Sequence, residues 1–200
     1  MYTRHDFRQE HLLKSVADPE VRGGACAALC DFWLRAIKTG NASPDQRLRD
    51  LAGSFPEIIA HQKQYQRERA KVGPVAARQR MGQPLGLDYE QKTSIMPACI
   101  GLQGVRDRLA TDLRRLGAAT TWSLRFIDGG GHAMAGFSGL TSITENMHRQ
   151  QISIFDPNIG EYVCQISEMD DVFRDIFRII PYYSRINEVR RVAVGDRKPY

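Results

Sequence analysis

No stretch of this sequence is apolar for long enough to cross a membrane. A membrane helix needs roughly 18 to 20 consecutive apolar residues, and polar residues interrupt every hydrophobic run of the 200-residue chain before that length. The opening residues, MYTRHDFRQEHLLKSVADPE, contain no hydrophobic core of a secretory signal peptide. We therefore expect no transmembrane segment and no export by the general secretory pathway. Export by a dedicated secretion machine stays open.

Cysteine is scarce, and its spacing argues against two of its common uses. The four cysteines are Cys26, Cys30, Cys99 and Cys164. They form no CxxC pair and stand at no metal-ligand spacing with histidine, which disfavours both a disulfide scaffold and a zinc site. We expect reduced thiols, no metal and no cofactor.

A compact block of basic residues is missing as well. The net charge is +5, but lysine and arginine are scattered over predicted helices. The chain has no nucleic-acid recognition motif and no platform of interleaved aromatic and basic residues. We expect no nucleic-acid partner.

The composition that remains is that of a folded domain. Apolar residues make up 42% of the chain and charged residues 26%, and 200 residues are enough for one hydrophobic core. The first 22 residues are polar and contain an Asp18-Pro19 turn signal. We predict an N-terminal arm over 1–22, one domain over 23–200, and a monomer.

Helix signals fill the first half of the chain and strand signals the second. Residues 25–38 have apolar side chains at helical spacing, and Ser43 before Pro44 favours another helix start. Residues 73–86 hold three glycines and two prolines, which predict a loop. After Gly117, β-branched and aromatic runs predict antiparallel strands, with one late helix among them. Helices first and a sheet second, without repeated βα units, indicate an α+β fold.

Cys26 stands where a helix is predicted to begin, after Gly23 and Gly24. Unpaired backbone N–H groups and the helix dipole stabilise a thiolate there, and the thiolate is the nucleophilic form of cysteine. The glycines leave room for a substrate carbonyl, and the Cys26 amide is available as one oxyanion donor. The alternative is a small buried thiol after a turn. Cys30, one turn deeper, fits that alternative better.

Two further residues have positions that suit acid–base chemistry. His132 follows three glycines and begins a short apolar strand, which suits a general base held in a cleft. Asp156 ends the strand QISIF, so its carboxylate can reach and orient an imidazole on a neighbouring strand. Taken singly, a structural histidine and ordinary turn chemistry are the better explanations of the two residues. Jointly with Cys26, their order and contexts predict a catalytic triad.

Three blocks of the sequence carry a family resemblance. GGACAALCDFWL, GGGHAMAGF and FDPNIGEY resemble the signature blocks of the YopT/AvrPphB family of bacterial type III effector cysteine proteases. The resemblance implies a papain-like endopeptidase domain, with the nucleophile at the start of a central helix that packs on a C-terminal antiparallel sheet. It implies Cys26 as nucleophile, His132 as general base and acid, and Asp156 as the residue that orients His132. Trp33 matches the family's aromatic position on that helix, in a structural role.

The same resemblance implies a role in virulence. Members of the family are secreted by a dedicated bacterial system and cleave host signalling proteins in the host cytoplasm. Their substrates include kinases and small prenylated GTPases that are cut next to a basic tail. A basic tail would favour an acidic cleft, whereas this chain is net basic, so we lean away from the GTPase class.

The chain departs from the family pattern at two places. Papain-like enzymes often place a polar side chain a few residues before the nucleophile as a second oxyanion donor. Here the nearby residues are Val21 and Arg22, and Asp18 is a poor donor when ionised. The second donor therefore has no residue assigned to it. Cys30 stands where the family has a small hydroxyl residue.

Two other functions are compatible with the sequence. Transglutaminases, deamidases and acyltransferases use the same three groups on related folds. A non-enzymatic binding domain would use the basic helix predicted over 101–116 and would leave Cys26 unreactive. Incorporation of a tagged amine, appearance of a new N-terminus, and alkylation of Cys26 separate these functions from one another.

Overall fold

The structure, a computed structural model, describes residues 1–16, 18, 21, 23–40, 42–97, 101–144 and 147–195. Within these ranges the strands are β1 (Thr3–Asp6), β2 (Asp88–Pro97), β3 (Ala119–Phe126), β4 (Gly131–Thr144), β5 (Met147–Asp156), β6 (Gly160–Cys164) and β7 (Ile186–Gly195). The α-helices are α1 (Gln9–Leu13), α2 (Cys26–Thr39), α3 (Pro44–Gly53), α4 (Phe55–Val72), α5 (Pro74–Gly82), α6 (Gly101–Asp112) and α7 (Met169–Ile179). Short 3-10 helices cover Gln83–Leu85, Ile166–Glu168 and Pro181–Arg185.

The strands form one antiparallel sheet in the order β1-β6-β5-β4-β3-β7-β2. The central strand β4 pairs with β3, where Leu124 lies opposite His132, and with β5, where Ala135 lies opposite Phe155. Because β4 and β5 run antiparallel, β4 begins at the end of the sheet where β5 stops. His132 and Asp156 are therefore brought to the same end of two neighbouring strands.

Helices cover both faces of this sheet. One hydrophobic cluster lies under α2 to α5 and includes Ala133 and Ala135 of β4. The other lies under α6 and α7 and includes Met134. Successive residues of a strand point to opposite faces, so β4 contributes to both clusters. The small side chains of its two alanines let α2 lie close to the sheet.

The predicted α+β class is confirmed, with one correction to the order of the elements. Helices do not simply precede the sheet, because β1 and β2 come from the N-terminal half and form its two edges. β1 pairs with β6, and β2 pairs with β7. The sequence of β1, TRHD, is short and mostly polar, as is common for an edge strand, and so it gives little hydrophobic pattern to detect.

The prediction of a loop over 73–86 is wrong. Residues Pro74–Gly82 form α5. The glycines and prolines mark the boundaries of helices in this segment: Gly73, at φ +81°, ends α4, and Pro74 occupies the first turn of α5. Proline fits that turn because its missing N–H would have had no partner within the helix.

The central helix α2 is fixed to the sheet through Trp33. Its indole has no exposed surface and stacks on Phe155, with ring centroids 5.5 Å apart. The indole Nε1 donates to the buried Glu161 at 2.9 Å, and Arg47 of α3 pairs with the same carboxylate. Trp33 therefore joins the helix that begins at Cys26 to the strands on either side of the β5–β6 turn.

Candidate active site

Cys26 is the first residue of α2 and is half-buried. The N-cap, Ala25, has no side-chain acceptor to offer to the amides of the first turn. The N–H of Ala28 donates to Gln62 Oε1 at 3.1 Å, whereas the N–H of Cys26 has no acceptor among the described residues. A free amide beside the thiol can therefore bind a negatively charged oxygen.

The His132 ring is buried and bound to a carboxylate. Its Nε2 lies 2.9 Å from Asp156 Oδ1. Asp156 is fully buried, and it also accepts hydrogen bonds from the Tyr183 hydroxyl at 2.5 Å and from the N–H of Asn158 at 2.8 Å. The Cys26 thiol is hydrogen-bonded to the same imidazole, and Asn158 Nδ2 lies 3.4 Å from Nδ1 of that ring. The structure thus brings the three predicted site residues into one row.

The charges of this row favour a proton on the imidazole and none on the thiol. Burial lowers the pKa of His132, but the Asp156 carboxylate and Cys26 outweigh burial and raise that pKa to about 10. Burial raises the pKa of Cys26, but the hydrogen bond and charge of His132 and a hydrogen bond from the backbone of Ala133 outweigh burial and lower it. Both shifts favour a thiolate–imidazolium pair at neutral pH, which is the nucleophilic form.

The other described cysteines lack this environment. Burial raises the pKa of Cys30 well above its usual value. Burial and the nearby Glu168 carboxylate raise the pKa of Cys164 to about 12. Cys99 lies outside the described residues. Of the thiols that the structure describes, Cys26 is the one whose pKa is lowered.

An open cleft of about 740 Å³ lies beside His132. Its polar and backbone walls include Gln9, Gly23, Gly24 and Asn158. Its charged residues are Arg8, Glu10, Lys14 and Asp128. The volume lies in the range of ligand-binding clefts, and the charges around it are balanced.

Several residues of the site escaped the sequence analysis. Tyr183 donates to Asp156, and Asn158 accepts a hydrogen bond from Gln9 Nε2 at 2.7 Å. Gln9 Oε1 in turn accepts the N–H of Ala25 at 3.0 Å. Asn158 lies within the block FDPNIGEY, but the sequence indicates no role for its side chain. No pattern in the sequence connects residue 9 with residues 25 and 158, since only the folded arm brings them together.

Neither Val21 nor Asp18 offers a second oxyanion donor. Val21 is buried and apolar. Asp18 pairs with Lys63 of α4. Arg22 lies outside the described residues.

Neither a metal-binding cluster nor a membrane-spanning helix is found in the described part of the chain. No three His, Cys, Asp or Glu side chains there are grouped so as to hold a metal ion. No helix in those ranges has both the length and the apolar character that crossing a membrane requires.

Comparison with known proteins gives two informative matches. No model of a known protein family matches the chain. A protein of Sinorhizobium fredii assigned as a YopT-like cysteine protease, y4zC, is 30% identical to this chain over 204 residues, covering 96% of this chain and 69% of that protein. The crystal structure of the Pseudomonas avirulence protein AvrPphB matches with a TM-score of 0.69 at 21% identity, over 91% of this chain and 97% of the other.

The structural match defines the class of fold, which is the α+β fold of AvrPphB, and the α+β class is the one predicted from the sequence. The match to y4zC then defines the family. The chain belongs to the YopT/AvrPphB-type family of effector cysteine proteases. The resemblance stated from the three sequence blocks is thereby confirmed.

Proposed function

We propose that this protein is a cysteine endopeptidase with Cys26, His132 and Asp156 as its catalytic triad. The observation that supports this most strongly is the row of hydrogen bonds through these side chains, which lowers the pKa of the thiol and raises that of the imidazole. Membership in a family of cysteine proteases is independent support, because it does not depend on the geometry.

In the proposed acylation step, the Cys26 thiolate attacks the carbonyl carbon of a peptide bond. A C–S bond forms, and the carbonyl π electrons move to oxygen, where the N–H of Cys26 donates to the oxyanion. The intermediate then collapses with cleavage of the C–N bond, and the proton on His132 passes to the leaving amine. Asp156 holds the ring in place and stabilises its charged form until that transfer.

In the proposed deacylation step, water attacks the thioester carbon. His132 takes a proton from the water as general base, and cleavage of the C–S bond releases the carboxylic acid. The thiolate and the imidazolium are restored. One peptide bond and one water give one acid and one amine, so the reaction consumes no co-reactant other than water.

The family resemblance supports a further part of the proposal, that this protein is a type III effector. We propose that a dedicated bacterial secretion system delivers it and that it cleaves a host signalling protein in the host cytoplasm, acting as a monomer. A kinase-class substrate is favoured over a GTPase cut beside a basic tail, because Arg8 and Lys14 offset Glu10 and Asp128 around the cleft. The boundary between an arm of 1–22 and a protease domain of 23–200 stays a prediction.

The direct test compares wild type with Cys26→Ala in a host-cell lysate in which new protein N-termini are labelled. We expect new N-termini with wild type and none with Cys26→Ala. A tagged primary amine added to the same lysate separates hydrolysis from transfer, because a transglutaminase would incorporate the amine and create no N-terminus. Identical N-termini with both proteins would exclude the proposed protease.

A further inference from the structure

The carboxamide of Gln9 is held against the backbone in front of Cys26 by contacts that the mechanism above does not use. Its Oε1 accepts the N–H of Ala25 at 3.0 Å, and its Nε2 donates to Asn158 Oδ1 at 2.7 Å. The side chain is 6% exposed, yet it lines the cleft beside His132. A carboxamide nitrogen carries two hydrogens, so one remains for a ligand in the cleft.

The backbone around Gln9 is fixed as firmly as its side chain. The N–H of Gln9 donates to Pro157 O at 2.8 Å, and the N–H of Phe7 donates to Ile159 O at 3.0 Å. These bonds tie the start of α1 to the turn that follows Asp156. The carboxamide is therefore oriented before any substrate arrives, which is what an electrostatic contribution to catalysis requires.

The carboxamide packs against Gly24, where the backbone conformation rather than a lack of space favours glycine. A Cβ at this position would lie 3.4 Å from Gln9 Oε1 and 3.6 Å from Nε2, whereas the φ of +103° favours glycine. Gly24 precedes Cys26 by two residues. Gln9, Gly23 and Gly24 line the cleft, and the Gln9 carboxamide is bound to the N–H of Ala25, the residue directly before Cys26.

We propose that Gln9 is the second oxyanion donor, so that its free N–H and the N–H of Cys26 both bind the oxygen of the tetrahedral intermediate. The inference rests on the proposed function. Val21 is apolar and Asp18 pairs with Lys63, so neither of them offers such a donor. The N-terminal arm completes the site by placing a side chain from far along the chain beside the nucleophile.

The test separates oxyanion chemistry from thiol reactivity in the full chain. The acylating probe is N-acetylglycine p-nitrophenyl ester, whose attack by Cys26 passes through a tetrahedral oxyanion. The second probe is iodoacetamide, which alkylates the same thiolate by displacement at carbon and forms no oxyanion. Gln9→Ala removes the carboxamide, and Gln9→Met fills similar space without an N–H. Gln46→Met, at an exposed glutamine of α3, is the matched control.

We expect both Gln9 variants to lower the maximal rate of the p-nitrophenolate burst by about 100-fold with little change in KM, the loss typical of one oxyanion donor. Their rates of alkylation by iodoacetamide, and those of Gln46→Met with both probes, should stay within about twofold of wild type. A burst rate within that range for either Gln9 variant would overturn the proposal. So would parallel loss of acylation and alkylation, because that pattern shows a merely structural role for Gln9.

Failure of the proposed function gives a different pattern. Wild type and Cys26→Ala would then release p-nitrophenolate at the same rate, with no burst in either, whatever stands at position 9. A Cys26-dependent burst that Gln9→Ala leaves unchanged would retain the proposed chemistry and remove only the role of Gln9.

Discussion

Two buried aspartates of this molecule have similar neighbours but different effects on the groups around them. Each accepts a hydrogen bond of 2.5 Å from a tyrosine hydroxyl, Tyr183 for Asp156 and Tyr89 for Asp31. Each also has a histidine within 3.4 Å of its carboxylate. Asp156 lies at the candidate active site, whereas Asp31 lies on α2, five positions after Cys26. The residue types around these two carboxylates therefore do not explain why one belongs to a reactive site.

The two aspartates differ in their cationic partners, because Asp31 has the guanidinium of Arg78 beside it. Arg78 Nη2 lies 3.2 Å from Asp31 Oδ1, and its guanidinium carbon lies 5.8 Å and 5.3 Å from the ring centroids of Tyr65 and Tyr89. Burial lowers the pKa of Arg78, but Asp31 and the two tyrosines outweigh burial and raise it, so the cation is permanent. The charge of Asp31 is thus neutralised by a group that never gives up its proton.

Asp156 has no such partner. Of the described basic side chains, His132 is the one that forms an ion pair with it. The charge of Asp156 therefore raises the pKa of the His132 imidazole. The protonated imidazole in turn lowers the pKa of Cys26. Of these two carboxylates, the one whose partner can transfer a proton is the one that raises the pKa of the imidazole beside Cys26.

The largest expected effect is at the thiols themselves. Cys26→Ala should abolish the p-nitrophenolate burst, because it removes the proposed nucleophile. Cys30→Ala is the matched control one turn deeper, and it should keep the burst, because burial keeps that thiol protonated. Peptide mapping after iodoacetamide treatment should find the label on Cys26 and not on Cys30. Loss of the burst in Cys30→Ala while the protein stays folded would contradict the contrast drawn between the two thiols.

The second largest effect separates the two carboxylates. Asp156→Asn should lower the acylation rate by about 10³- to 10⁴-fold, as loss of the orienting carboxylate does in comparable triads. Asp31→Asn, measured on the folded fraction, should leave the rate within about tenfold of wild type, because Asp31 does not contact the reacting groups. Stopped-flow release of p-nitrophenolate measures both rates. Equal losses in the two variants would refute the proposed division of roles.

The pH profile of amide cleavage, with N-acetylglycine p-nitroanilide as the substrate, tests the same division by its shape. The reactive pair forms as pH rises through the lowered pKa of Cys26, and it is lost as pH rises through the pKa of His132, raised to about 10. Asp156→Asn removes the main influence that raises the His132 pKa, so the alkaline limb should move to lower pH. The acid limb should move to higher pH, because the thiolate loses part of its cationic partner. The rate of p-nitroaniline release against pH records both limbs, because cleavage needs the Cys26 thiolate for attack and the His132 proton for the leaving amine.

The parts of the site that were predictable from the sequence were those with a local signal. A glycine pair before a helix start located Cys26, and strand boundaries located His132 and Asp156. Tyr183 and Gln9 have no such signal, because each reaches the site from a segment distant in the chain. The partner of Asp31 has no local signal either, because a lone aspartate in an apolar helix does not show that Arg78 lies beside it.

The fold, like the site, was predictable where the sequence carries a local signal. Periodicity predicted the central helix and the strands after Gly117, because their buried faces repeat at 3.6 or 2 residues. The edge strands β1 and β2 were missed, since their pairing partners lie far away in the sequence. The segment 73–86 was taken for a loop because glycine and proline mark helix ends and loops alike.

The third expected effect is on stability. Arg78→Met leaves Asp31 buried without its cation, which should lower the free energy of unfolding by about 3 to 5 kcal/mol. The double variant Arg78→Met/Asp31→Asn should recover part of that loss, because it removes the uncompensated charge. Urea denaturation gives the three values. A double variant less stable than Arg78→Met would show that the pair is not coupled as the structure indicates.

The smallest expected effect lies at the two tyrosine hydroxyls. Tyr183→Phe removes the hydrogen bond to Asp156 Oδ2 and should lower the acylation rate by about three- to tenfold, since the carboxylate holds His132 less firmly. Tyr89→Phe removes the same kind of bond from Asp31 and should cost about 1 to 3 kcal/mol of stability with no change in rate.

Tyr183→Phe should not move the alkaline limb of the amide-cleavage profile to lower pH, because Asp156 keeps its full charge beside the ring. In this it differs from Asp156→Asn, so the two variants separate the orientation of His132 from its electrostatic support. A downward shift of that limb in Tyr183→Phe would mean that the hydroxyl, and not only the carboxylate, sets the pKa of His132. The contrast between the two aspartates would then rest partly on their tyrosines rather than on Arg78 alone.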